Sequence, residues 1–83
     1  MGAPDYPARA LEREEQGSVS VTFIVTADGR ARDCQVLRSS GSPDLDEATC
    51  RIVNSRYRLE PARDISGNPL VTPAQQIVVW QLP

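Results

Sequence analysis

Residues 18–30 read SVSVTFIVTADGR, and this stretch decides the fold. Val19, Val21, Phe23 and Val25 alternate with Ser18, Ser20, Thr22, Ile24 and Thr26. A period of two with one apolar face predicts a half-buried strand. Asp28-Gly29 follows, a strong short-range signal for a hairpin. The returning strand is RARDCQVLRSS, residues 30–40. Cys34 and Val36 share a face there, but Ala31 is out of register with them. A bulge near Arg32 and Asp33 reconciles the two halves.

GSPDLDEATCRIVNSR, residues 41–56, reads as a helix. Ser42 can cap it and Pro43 can open it. Asp44, Asp46 and Glu47 fall in the first turn, where carboxylates meet the positive end of the helix. Leu45, Ala48, Thr49, Ile52 and Arg56 make one stripe, with Cys50 on its flank within reach of Cys34. Upstream, DYPARALEREEQG (residues 5–17) predicts a first helix, with Pro7 in its opening turn and Gly17 as its left-handed stop. Downstream, residues 57–73 are rich in proline and glycine and read as a loop. There Arg58 or Arg63 is expected to pair with Glu60 or Asp64. The last strand is expected from about Leu70 to Leu82. Pro73 makes it an edge strand, because proline cannot donate to a ladder. Both faces of its end, QQIVVWQLP, are apolar: Ile77 and Val79 on one, Val78, Trp80 and Leu82 on the other. The order helix, strand, strand, helix, strand predicts an α+β fold, two short helices packed on a three-stranded antiparallel sheet.

Eighty-three residues make one domain, and so small a chain buries a small core. Such domains gain stability from a disulfide, a metal or a partner. Histidine is absent, and Cys34 and Cys50 are far apart with no Cys-x-x-Cys pair, so no metal and no cofactor is expected. A Cys34–Cys50 disulfide would close a loop of about 15 residues and contribute about 3 kcal/mol. The alternative is two free buried thiols. A disulfide implies an oxidising compartment. A net charge of −2 argues against nucleic acid as a partner. No apolar run approaches the roughly 18 residues that span a bilayer. An exported domain without an export signal is expected to be part of a longer protein, and residues 1–5 to be a linker or an expression remnant ahead of a domain at 6–83. No histidine is available as a base, Ser39, Ser40 and Ser42 lie in a turn and a cap, and the cysteines lack redox spacing, so an enzyme is not expected.

Taken in order, YPARA at residues 6–10, Gly17, TADGRA at 26–31, SSG at 39–41, LDEA at 45–48 and RYRLEPAR at 56–63 resemble the C-terminal domain of the TonB family of energy transducers. The match covers nearly the whole chain. The resemblance implies a periplasmic domain tethered to the inner membrane. An N-terminal region outside this stretch would supply the anchor and reach an inner-membrane proton-channel complex. It implies that the domain grips the TonB box, a short extended segment of an outer-membrane receptor, to drive uptake of siderophores or similar cargo. The box would add as a strand beside the last one.

Carried onto this sequence, the implied partner-binding residues are Tyr6, Pro7 and Arg9, with Val71, Thr72, Gln75, Gln76, Ile77, Val78, Val79 and Trp80. Arg9 would pair with a receptor carboxylate. Trp80 is expected in the core or at a seam between two copies, since a homodimer would use the same open edge. Ala3, Pro4 and Ala31 depart from the family's usual residues. Cys34 and Cys50 stand where aliphatics are common, and a disulfide there fits a subfamily that staples the second strand to the second helix. The alternative function is an envelope interaction or sensor module, TolA-like or the ectodomain of a membrane peptidase.

Overall fold

The computed structural model describes residues 5–82. The elements are α1 (Ala8–Glu12), β1 (Gly17–Val25), β2 (Ala31–Arg38), α2 (Pro43–Arg56) and β3 (Thr72–Trp80). The strands form one antiparallel sheet in the order β2-β1-β3. The expected α+β fold is the one observed. Of the expected linker, residues 1–4 lie outside the described residues, and Asp5 forms an ion pair with Arg56.

β1 is central because its alternation gives it a fully apolar face. Val19, Val21, Phe23 and Val25 are all buried, and α2 lies on them through Leu45, Ala48, Thr49, Ile52 and Val53. Val53 extends the expected stripe, while Arg56 at its end is exposed. Ser42 caps α2 by accepting from the Leu45 N–H at 3.3 Å, and Pro43 opens the helix. The hairpin between β1 and β2 turns on three residues, because Thr26 and Arg30 close it through a 2.8 Å backbone bond. Gly29, at φ 83°, takes the left-handed position. A Cβ on Gly29 would lie 2.4 Å from the Leu59 carbonyl, so only glycine lets the following loop pass so close. The bulge near Arg32 and Asp33 is present: Thr22 faces Gln35 but Ile24 faces Arg32, and Asp33 adopts φ 56°. A second register shift at Ser20/Val21 has no sequence signal.

Three expectations need correction. α1 is one short turn that stops at Glu14 (φ 54°), well before Gly17. Pro7 sits at its N-cap with extended dihedrals, one residue ahead of the first helical position. Gly17 instead opens β1, where a Cβ would approach the Ser40 carbonyl to 3.0 Å. β3 is shorter than expected, starting at Thr72. Leu70 and Val71 lie outside the sheet, in the segment leading out of a tight turn at residues 64–68, where Leu70 donates to the Ala62 carbonyl at 2.7 Å and Arg63 bridges Pro69. The loop arginines pair with no carboxylate among the described residues. Arg58 donates to the Tyr57 carbonyl at 3.0 Å and Arg63 to the Gly67 carbonyl at 2.9 Å, because the backbone there curls around each guanidinium. Asp64 holds the turn by accepting from the Ser66 and Asn68 N–H groups, and these bonds keep its carboxyl below the usual range.

Candidate functional site

Among the described residues β3 has one strand neighbour, β1. The pairing runs without a shift through nine residues, from Val25↔Thr72 to Gly17↔Trp80. Among the described residues no strand lies on its other side. In an antiparallel ladder every second residue of an edge strand turns its N–H and C=O away from the sheet. The strand TPAQQIVVW carries no formal charge. Its two apolar rows have different fates. Val78 and Trp80 are buried, whereas Ile77 is 63% exposed and Val79 45%. The second face is therefore only partly covered: Ile77, Gln75, Gln76, Ser20 and Leu37 line an open groove of about 430 Å³ across the sheet. Gln76 folds back, its amide donating to the Ile77 carbonyl at 3.3 Å. Thr22 ties β3 to β1 by donating to the Ala74 carbonyl at 3.1 Å.

The far end of β3 is anchored by side chains. The Trp80 indole N–H donates to Thr49 Oγ1 at 2.8 Å, and that hydroxyl donates to the Leu45 carbonyl at 2.7 Å. Both side chains are fully buried, so an unpaired indole N–H there would be costly and the pair fixes how α2 sits over β3. The Tyr6 ring meets Trp80 edge-on at 5.2 Å, and its hydroxyl donates to the Glu15 carbonyl. Burial and the nearby Glu15 charge push the Tyr6 phenol above its ordinary pKa. Ser42 Oγ in turn donates to Glu15 Oε1 at 2.8 Å, and the Leu82 N–H to Gln16 Oε1 at 3.0 Å.

Tyr6 and Trp80 thus sit inside, against one another, and offer a partner the backbone of β3's end more than their rings. Pro7 and Arg9 lie at the surface next to them, and Arg9 joins no ion pair among the described residues. Thr72, Gln75, Gln76, Ile77, Val78 and Val79 line up along β3, and Val71 is exposed just before it.

The opposite edge is different. Cys34 on β2 is bonded to Cys50 on α2, with Cα atoms 5.3 Å apart. The Cys34 N–H also donates to Asn54 Oδ1 at 3.2 Å. Cys50 and Asn54 are one helical turn apart, so one flank of α2 holds Cys34 twice. Asn54 had a signal in the sequence, its spacing of four from Cys50. The roles of Glu15, Gln16 and Thr49 had none, since each depends on a chain reversal that no local pattern specifies. Asp46, at the start of α2, takes bonds from the Ser39 and Ser40 hydroxyls and the Ser40 N–H. Partial burial raises its pKa, but these bonds outweigh that and keep the carboxyl low.

The family model described as Gram-negative bacterial TonB protein C-terminal matches residues 2–82. Protein TonB of Pseudomonas aeruginosa is 39% identical over 71 residues, covering 86% of this chain and 20% of that protein. Protein TonB of Escherichia coli K12 is 39% identical over 64 residues, covering 77% and 26%. The chain therefore spans about a fifth to a quarter of these curated relatives. Among solved structures, the solution NMR structure of the Pseudomonas aeruginosa TonB CTD superposes with a TM-score of 0.73 at 34% identity, covering 93% of this chain and 76% of that one.

Proposed function

From the premise that this chain belongs to the TonB C-terminal family, a TonB-type energy-transducer domain and not an enzyme, we propose that it binds outer-membrane receptors by taking an extended receptor segment along β3. The segment completes the sheet as a fourth strand. Main-chain hydrogen bonds supply affinity with little demand on side-chain identity, which suits one transducer serving several receptors. The observation that carries this reading is the sheet order: among the described residues β3 lies at the edge and has β1 as its one neighbouring strand, in an unbroken register. In this reading the domain works in the periplasm, joined to the inner membrane through a preceding anchor. Movement driven by an inner-membrane proton-channel complex is passed to the receptor to admit siderophores or similar cargo. In the same reading Arg9, exposed on α1, meets a receptor carboxylate.

The test is an amide titration. Adding a synthetic peptide with the extended sequence of a receptor's TonB box to the isotope-labelled domain is expected to shift the resonances of residues 71–80 and leave those of β2 in place. Unmoved β3 resonances at saturating peptide defeat the reading. Shifts that depend on domain concentration without peptide would instead report pairing of two copies.

A further inference from the structure

We infer that Tyr6 is the point at which a pull arriving along the preceding chain enters the folded domain, and that its seat on Trp80 hands the load to β3 without passing it through α1. The inference rests on the strand-addition reading, and it names a positioning residue for that activity.

The matched family is a C-terminal one, and the chain covers 20% and 26% of the two relatives. In a protein built like them, tension reaches this domain from the residue 5 side. Among the described residues, the first it meets that is held by the core is Tyr6. Among the described residues Asp5 is tethered by its ion pair with Arg56, a partner that is largely exposed. Tyr6 is buried, packs edge-on against the last residue of β3, and donates to the Glu15 carbonyl. With the Tyr6 ring seated on Trp80, the chain from Pro7 to Glu14 is a side loop that lies off the path of the load, and the hydroxyl's bond to Glu15 adds a second closure to it. α1 needs such shelter. It has five residues and buries only Ala10, and so short a helix has little stability of its own. Trp80 is held in turn by Thr49 of α2 and lies opposite Gly17, the first residue of β1. One aromatic contact therefore joins the entry point to the strand that would hold the receptor segment.

The experiment is single-molecule force spectroscopy on the oxidised chain. One handle is fused ahead of residue 1 and the other to a receptor peptide held at β3. The unsubstituted chain is expected to release in one step. Tyr6→Ala is expected to lengthen first at lower force, by at most about 35 Å as residues 7–16 straighten. Tyr6→Phe, which keeps the ring, is expected to restore the single step. A Tyr6→Ala trace indistinguishable from the unsubstituted one overturns the inference. Should Tyr6→Ala fail to fold, Tyr6→Leu keeps apolar volume without the ring edge and is read in the same way. Should no peptide bind at zero force, strand addition falls. The anchor is then read with the second handle fused after residue 83, where the early lengthening is again expected for Tyr6→Ala and its absence overturns the anchor.

Discussion

β2 and β3 are the two edges of one sheet, yet they are finished in different ways. β2 is broken by two register shifts, carries Asp33 at φ 56°, and is fastened to α2 through Cys34 by a disulfide and by Asn54. β3 keeps nine consecutive pairs with β1, and within the strand Pro73, near its start, is what discourages a neighbour. Bulges, covering elements and charges are the usual means by which proteins blunt a sheet edge. β2 uses the first two and displays Arg32, Asp33 and Arg38 as well. The same chain thus has the means to close an edge and applies them to one side. That difference, more than the mere presence of an edge, is what supports the proposal that β3 is the side taking a partner.

The comparison can be broken most severely at the disulfide. Cys50→Ala removes the staple and is expected to cost about 3 kcal/mol. For a domain of this size, that lowers Tm by upwards of about 10 °C. Amide exchange should quicken first in β2 and leave β3 the slower edge. Equal acceleration at both edges would show that the staple stabilises the whole fold without distinguishing them. A smaller effect is expected from Asn54→Ala, about 1 kcal/mol, read in urea melts, with faster exchange at the Cys34 amide.

Tyr6 supplies a pH test of the anchored end of β3. Its folded pKa is raised, so the neutral phenol's contribution is complete below about pH 10, the unfolded value. It is lost as pH rises from there through the folded pKa, because the unfolded chain ionises first. Tyr6→Phe should flatten that alkaline decline, and short, reversible melts at pH 9 to 11 would show it. The smallest effect on stability is expected at the open edge. Ile77→Lys changes an exposed position and should stay within about 0.5 kcal/mol. It should nevertheless weaken pairing of any added strand, measured as peptide affinity. A stability loss above 2 kcal/mol would mean that the exposed row of β3 is covered in solution.

Much of this asymmetry was written in local patterns. The alternation in β1, the Ser42-Pro43 start of α2, the bulge near Asp33 and the edge position of a strand containing Pro73 all follow from chemistry within a few residues. What was hidden depends on chain reversal. Glu14 carries no signature of a left-handed stop, so Gly17 was the natural choice, although its true constraint is the Ser40 carbonyl. Val71 is apolar but lies just ahead of β3, in the exposed segment that follows the turn held by Asp64 and Asn68. Whether Ile77 or Val78 faced the helices could not be read from a row apolar on both sides. The register with β1 settles it, since Val78 sits opposite the buried Val19. For the candidate site, the strand and the burial of Trp80 and Thr49 were legible, but how they join Tyr6 and Glu15 was not, since the four come from separate segments.

The absence of any ionised side chain along β3 has a consequence for solution conditions. A grip made of peptide groups on a neutral strand gives dissolved ions little to screen. Its dissociation constant should hardly change between dilute buffer and half-molar sodium chloride, and only contacts made by Arg9 and its surroundings should fade with ionic strength.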